Sequence, residues 1–103
     1  MDMNKSFASE VDMLDVFIEL MNRNGKTTSL EVKEELRRRG FFAIQYAVSK
    51  FLQSLITDRN KVPFKFKTDI DLKGGYLVYM KVFESKPLDF QYLNSLFVLK
   101  NRI

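Results

Sequence analysis

The first periodic stretch of the sequence, residues 6–24, predicts an α-helix with an unusually wide apolar surface. At 100° per residue its apolar side chains form two adjacent stripes. The first stripe consists of Phe7, Val11, Leu14, Phe17, Ile18 and Met21, and the second of Met13, Val16 and Leu20. Because only a narrow acidic strip remains, we expect one face to pack on its own domain and the other on another helix or subunit. Ser9 and Asp12 fit a capping box, and Gly25 suits the left-handed position after the helix.

Two further segments predict helices separated by a tight break. The second helix starts at Thr27 and Thr28, where Thr28 and Glu31 fit a capping box, and it ends at Gly40. The third helix covers about residues 43–56 and lacks a capping side chain at its start. Its apolar face consists of Ile44, Ala47, Val48, Phe51, Leu52 and Leu55. Its opposite face is polar and free of acidic residues.

Beyond residue 61 the hydrophobic period changes from helical to alternating. Residues 62–68 alternate Phe with Lys, which predicts a strand with one buried side. Residues 69–75 predict a loop, since Gly74 and Gly75 readily take positive φ. Residues 76–83 are rich in aromatic and β-branched side chains and predict the returning strand. Pro87 fits the first turn of a last helix within residues 85–103, which is apolar almost all round. We expect residues 1–103 to form a single domain whose segment 85–103 serves dimerisation.

Composition narrows the chemistry that such a domain can perform. The chain has 103 residues and is 46% hydrophobic, which favours one packed domain over disorder. It contains no Cys and no His, which excludes thiolate nucleophiles, imidazole bases, disulfides and zinc sites of the usual kind. We therefore predict a protein that is not an enzyme, with no catalytic residues, no metal site and no cofactor. The short apolar stretches and the plain N-terminus predict a cytoplasmic protein without a membrane span.

The formal net charge of +4 is unevenly distributed along the chain. Residues 1–22 hold one basic and five acidic side chains, whereas residues 23–103 hold 16 basic and eight acidic ones. A positive face of this kind attracts phosphate backbones or anionic surfaces. The alternative is an ordinary solvated surface. Likewise, Arg37, Arg38 and Arg39 fit either complementation of the dipole at the C-terminus of the second helix or phosphate contact, and both can hold.

The order of these elements resembles the winged helix-turn-helix superfamily of DNA-binding domains. The resemblance rests on the segment TTSLEVKEEL at residues 27–36, on Gly40 as the turn, and on AIQYAVSKFL at residues 43–52. It implies an α+β fold of three helices and a β-hairpin wing, to which this chain adds the C-terminal helix. It also implies double-stranded DNA as the partner, with the third helix in the major groove.

The resemblance further implies which side chains contact DNA. On the third helix these are Gln45, Tyr46, Ser49, Lys50 and Gln53. The glutamines would pair adenine edges, the lysine would reach a guanine edge or a phosphate, and the serine a base or a phosphate. The tyrosine would pack on a thymine methyl or a sugar. The other implied contacts, to the DNA backbone, are Arg37, Arg38, Arg39, Lys65, Lys67 and Lys73.

Two functions remain open from the sequence. The first is a sequence-specific DNA-binding protein, a transcriptional regulator that forms a homodimer through its first and last helices. The second is a protein-interaction module on the same fold, an inhibitor or adaptor of a larger nucleic-acid-processing enzyme. Exposure of Tyr46 suits both, because tyrosine is enriched in protein interfaces. The alternative to the dimer is intramolecular packing of the last helix on the second stripe of the first.

Overall fold

The computed structural model describes residues 6–83, and these form an α+β unit. Its elements are α1 (Glu10–Asn24), β1 (Lys26–Thr28), α2 (Ser29–Arg38), α3 (Gln45–Thr57), a 3-10 turn (Arg59–Lys61), β2 (Phe66–Ile70) and β3 (Leu77–Lys81). The strands form one antiparallel sheet in the order β1-β3-β2. Three helices and a three-stranded sheet over residues 6–83 are compatible with a winged-helix arrangement. The predicted C-terminal helix lies outside the described residues.

The predicted caps of α1 are confirmed, although the helix starts later than expected. The Ser9 hydroxyl accepts a hydrogen bond from the Asp12 amide at 3.1 Å, and the Asp12 carboxylate accepts one from the Ser9 amide at 2.8 Å. Gly25 has φ 76° and donates its N–H to Met21 O at 2.8 Å. The residues before Ser9 are not helical because their backbone pairs with the segment between α2 and α3 instead. The Ala8 amide donates to Phe42 O at 2.8 Å.

The turn between α2 and α3 explains one wrong prediction. Gly40 takes φ 95° as expected, but Ile44, predicted to lie in the core, is 54% exposed. Ile44 precedes the helix in an extended conformation, so the helical angle does not apply to it. In an extended segment side chains alternate, and here Ala43 points inward with 2% exposure. Ala47, also predicted to be apolar core, is exposed as well.

The sheet contains a strand that the sequence pattern does not predict. Residues 26–28 form β1, which pairs with β3 so that Thr27 lies opposite Tyr79. The pattern assigns Thr27 and Thr28 to a helix start, and Thr28 indeed caps α2 by accepting the Glu31 amide at 3.2 Å. The hairpin is confirmed, but it is shifted: β2 begins at Phe66 rather than at residue 62 and extends to Ile70.

Both apolar stripes of α1 contribute to the same core. Met13, Val16 and Leu20 of the second stripe are buried together with Phe17 and Met21 of the first. The Phe17 ring meets the rings of β2 and β3 edge-on, at 5.9 Å from Phe66 and 5.5 Å from Tyr79. Both stripes therefore contribute to the core of the same domain, while Phe7 and Val11 of the first stripe remain exposed. Within residues 6–83, no helix has both the length and the apolar character that crossing a membrane requires.

Candidate nucleic-acid interface

Helix α3 presents one exposed face whose side chains are polar or basic. Tyr46 is 73% exposed, and Lys50 and Gln53 are exposed beside it. The Lys50 ammonium lies 5.8 Å from the centroid of the Tyr46 ring. The opposite face is anchored by Val48 and Leu52, both fully buried. Because α3 carries no acidic residue, nothing on the helix itself repels a phosphate chain that approaches this face.

Gln45 and Ser49 turn toward α2 instead of projecting with the exposed face. The Gln45 amide nitrogen donates to Ser29 Oγ at 2.7 Å and to Ser49 Oγ at 3.3 Å. The Ser49 hydroxyl donates to Ser29 Oγ at 2.9 Å. Gln45 Oε1 is buried and has no hydrogen-bond partner within the described residues. These contacts join the start of α2 to α3, and they occupy the Gln45 amide nitrogen and the Ser49 hydroxyl that the sequence assigns to DNA.

The three arginines at the end of α2 are held by groups of the domain itself. Glu35, whose side chain is 10% exposed, accepts Arg38 at 2.8 and 2.5 Å and Arg39 Nε at 3.0 Å. Arg39 also pairs with Glu19 of α1, and Arg37 Nε donates to Ala43 O at 3.0 Å. Hydrogen bonds from Arg38, and then from Arg39, lower the pKa of Glu35 to about 2. These pairs favour a structural role for the arginines.

The predicted wing lysines lie along the hairpin. Lys65 precedes β2, Lys67 lies within it and Lys73 lies in the turn, and all three are exposed. Lys65 and Lys67 share one side of the extended chain, opposite the buried Phe66.

Three exposed apolar side chains that the sequence pattern did not single out lie in or next to the hairpin turn. Leu72 is 96% exposed, Ile70 58% and Tyr76 47%. The available signal was the presence of two aliphatic residues, Ile70 and Leu72, in a segment that otherwise reads as a polar loop.

Two open grooves flank these elements. One of about 400 Å³ lies between α1 and α3, and its lining residues are Glu10, Met13, Tyr46, Ala47, Lys50, Phe51 and Ser54. The other, of about 920 Å³, lies at the base of the hairpin and has the cations Arg59, Lys65 and Lys81 in its lining. The first groove shares Tyr46 and Lys50 with the exposed face of α3.

The described residues hold no group of three or more acidic side chains placed to bind a metal ion. Comparison of the chain with protein-family models, with curated proteins and with solved structures finds no match.

Proposed function

We propose that this protein is a sequence-specific DNA-binding protein, a transcriptional regulator, with a winged-helix fold and α3 as its reading helix. The observation that carries this proposal is the exposed face of α3, which combines Tyr46, Lys50 and Gln53 without a carboxylate. A helix fits the major groove of B-DNA, where base edges are distinguishable. The lysines of the hairpin supply further positive charge for the flanking backbone.

Ten of the eleven predicted residues, all except Lys65, fall into two groups: those that contact DNA and those that hold α3 in place. Gln53 and Lys50 read base edges, and Tyr46 packs on a thymine methyl or a sugar. Lys67 and Lys73 bind phosphates. The residues that already have partners inside the domain hold α3 and its turn in place for those contacts; they are Arg37, Arg38, Arg39, Gln45 and Ser49.

A titration with duplex DNA at several salt concentrations tests this function. The logarithm of the binding constant is expected to fall linearly with the logarithm of the salt concentration, because lysines that bind phosphates displace counterions from the DNA. Lys67→Ala reduces that slope by about 0.9, the share of one phosphate contact. Lys61→Ala is the matched control, because its charge faces Asp58 at 3.8 Å beyond the end of α3. Absence of binding even at low salt contradicts the proposal.

A second experiment separates reading from attachment. The preferred DNA site is first selected by the wild-type protein from a pool of random duplexes. Gln53→Ala is expected to lower the preference for this selected site over random duplex by about 1–3 kcal/mol, while binding to random duplex persists. Equal losses on both duplexes would show that Gln53 carries no sequence information.

We further propose a homodimer that uses α1 and residues 85–103. Phe7 is 71% exposed, Val11 66% and Phe42 51%, and the two phenylalanine rings lie 5.7 Å apart. Exposed apolar groups of this kind mark interaction surfaces. Sedimentation of the full chain should show a dimer that Val11→Asp dissociates. A monomer at all concentrations contradicts this part of the proposal.

The protein-interaction function is supported by a different feature. The groove between α1 and α3 has apolar walls, Met13, Ala47 and Phe51, and the exposed Tyr46 stands at its side. Such a groove suits an amphipathic helix of a partner protein. This function would be favoured if the protein binds no DNA and if the Ala47→Glu variant loses the binding of a protein partner.

A further inference from the structure

The groove at the base of the hairpin combines positive charge with an apolar wall. Its cations come from three segments of the chain and are Arg59, Lys65 and Lys81. The apolar wall consists of Val62, Pro63, Phe64 and Val82. None of the described residues that line the groove is acidic. Its volume of about 920 Å³ is that of a site for a small organic molecule, and it exceeds what a single inorganic ion needs.

Neutral groups hold Arg59 at this groove. Its Nε donates to Ile56 O at 3.2 Å, and its Nη1 donates to Phe66 O at 2.5 Å. The guanidinium carbon lies 4.9 Å from the centroid of the Phe66 ring. Nη2 makes no hydrogen bond to any residue that the structure describes. The guanidinium is therefore fixed in place with its full positive charge and with a nitrogen left to donate to an anion.

Lys81 is held in a similar way on the last turn of strand β3 into the groove. Its Nζ donates to Asn22 Oδ1 at 2.8 Å. It also lies 5.2 Å from the centroid of the Phe64 ring and 5.7 Å from that of Phe83. Aromatic rings attract an ammonium group without neutralising its charge. Since the ammonium has further N–H donors, it too can bind an anion.

The two cations differ in this respect from Arg38 and Arg39, which pair with carboxylates. Within residues 6–83, neither Arg59 nor Lys81 forms an ion pair. Asp58 precedes Arg59 in the chain, but its carboxylate lies 3.8 Å from the ammonium of Lys61. The groove therefore presents positive charge that no carboxylate of the described chain neutralises.

We propose that this groove binds a small phosphate monoester with an apolar body. A phosphate monoester carries about −1.5 to −2 charges near neutral pH, which matches two cations better than the single charge of a carboxylate. Arg59 Nη2 and Lys81 Nζ bind the phosphate oxygens through charge-assisted hydrogen bonds. The body of the ligand packs on the wall that includes Pro63 and Phe64. A concave site with an apolar wall and a few polar groups suits a small molecule. This inference does not depend on the proposed DNA-binding function.

The test uses 1-naphthyl phosphate as the probe, with inorganic phosphate and 1-naphthol as its two halves. Each is titrated into the ¹⁵N-labelled full chain. The naphthyl phosphate is expected to shift the amide signals of Asn60, Phe64 and Val82. It should bind at least about tenfold more tightly than either half, because burial of the naphthyl group adds to the charge contacts.

Lys81→Gln removes the charge and keeps a donor for Asn22. It is expected to weaken binding of 1-naphthyl phosphate about tenfold, because a charge-assisted hydrogen bond is lost. Val82→Glu places a carboxylate in the groove wall and is expected to abolish binding. Lys67→Gln is the matched control, since it removes an exposed lysine of the same hairpin that does not line the groove, and it should bind like the wild type. Thermal melts of the three variants show that each is folded.

The absence of shifts at the groove with 1-naphthyl phosphate overturns the proposal, and so does equal binding by the wild type and Lys81→Gln. Naphthol that binds as tightly as its phosphate shows an apolar site without anion recognition and overturns it as well. Groove signals that respond to duplex DNA but not to 1-naphthyl phosphate identify the anion as the DNA backbone. That outcome overturns the small-molecule site and leaves the proposed function standing.

Discussion

Glu35 shows how a single carboxylate organises the end of α2. It is nearly buried, and it accepts hydrogen bonds from Arg38 and Arg39, which follow it at the spacings of one helical turn. Arg39 then reaches Glu19, which also pairs with Arg23 at 2.6 Å. Five acidic and basic side chains from α1 and the end of α2 thus meet in one network. This network ties the end of α2 to the middle of α1.

The low pKa of Glu35 predicts a loss of stability in acid. The folded-state pKa is about 2 against an ordinary value of 4.5, so the carboxylate stabilises the fold above pH 4.5. This contribution is lost as the pH falls from 4.5 toward 2, because the unfolded chain then binds the proton first. Thermal melts between pH 7 and pH 2 should show a steeper fall for the wild type than for Glu35→Gln. Glu34→Gln, at an exposed position, is the control. A wild-type curve as flat as that of Glu35→Gln contradicts the network.

Gln45 allows a second prediction at the scale of one side chain. Its Oε1 is buried without a partner in the described part of the chain, and an unsatisfied acceptor costs about 1–3 kcal/mol. Gln45→Met removes that acceptor at similar volume, while Ser49 still donates to Ser29. Chemical denaturation should show an unfolding free energy that is unchanged or up to about 1 kcal/mol higher, with DNA binding unaltered. A loss of preference for the selected DNA site would contradict this prediction and show that Gln45 contacts base edges.

At the scale of the elements, β2 is an edge strand whose free side is partly covered by Arg59 of the 3-10 turn and by its own Asp69. In an antiparallel pair alternate residues face away from the partner, and here Phe66 and Ile70 do so. Phe66 O accepts Arg59 Nη1 at 2.5 Å, and the Ile70 amide donates to Asp69 Oδ1 at 2.8 Å. Arg59 also lies 4.9 Å from the centroid of the Phe66 ring. The 3-10 turn therefore acts as a cover over the sheet edge.

This cover predicts the effect of removing Arg59. Arg59→Ala should lower the unfolding free energy by about 1–2 kcal/mol, because the charged donor to Phe66 O is lost. It should also increase concentration-dependent association, because an exposed edge pairs with other chains. Denaturation curves and light scattering measure these two effects. Lys61→Ala, in the same turn, should change neither. Equal behaviour of the two variants would show that Arg59 does not protect the edge.

The elements also show what the sequence could predict and what it could not. Helix ends were predictable where a local cap decides them, as at Ser9 and Gly25. Strand β1 was not, because three residues show no period and because its last residue also caps α2. The helical periodicity predicts Ile44 in the core, but the helix begins only at the next residue, Gln45. In the candidate site, Tyr46 and Lys50 were predictable from periodicity. The turn of Gln45 and Ser49 toward Ser29 depends on how α2 packs on α3, which no local pattern records.

At the scale of the whole molecule, the internal ion pairs change which charges remain for a partner. Part of the negative charge of α1 is neutralised within the domain, since Glu19 forms ion pairs with two arginines. The arginines at the end of α2 are used in the same way. In the proposed complex with DNA, the positive charge would therefore come from Lys50 and the hairpin lysines rather than from the arginine cluster. In the proposed complex, α3 supplies the contacts to bases and the hairpin lysines supply contacts to phosphates.

Mapping of the amide signals of the ¹⁵N-labelled full chain during titration with a duplex tests this surface most directly. The largest shifts are expected at Tyr46, Lys50 and Gln53 on α3 and at Lys67 and Lys73 on the hairpin, at salt concentrations where binding is measurable. Signals of the α1 surface around Val11 should move little. Shifts confined to α1, or no shifts with any duplex at low salt, would contradict DNA binding through α3 and the wing.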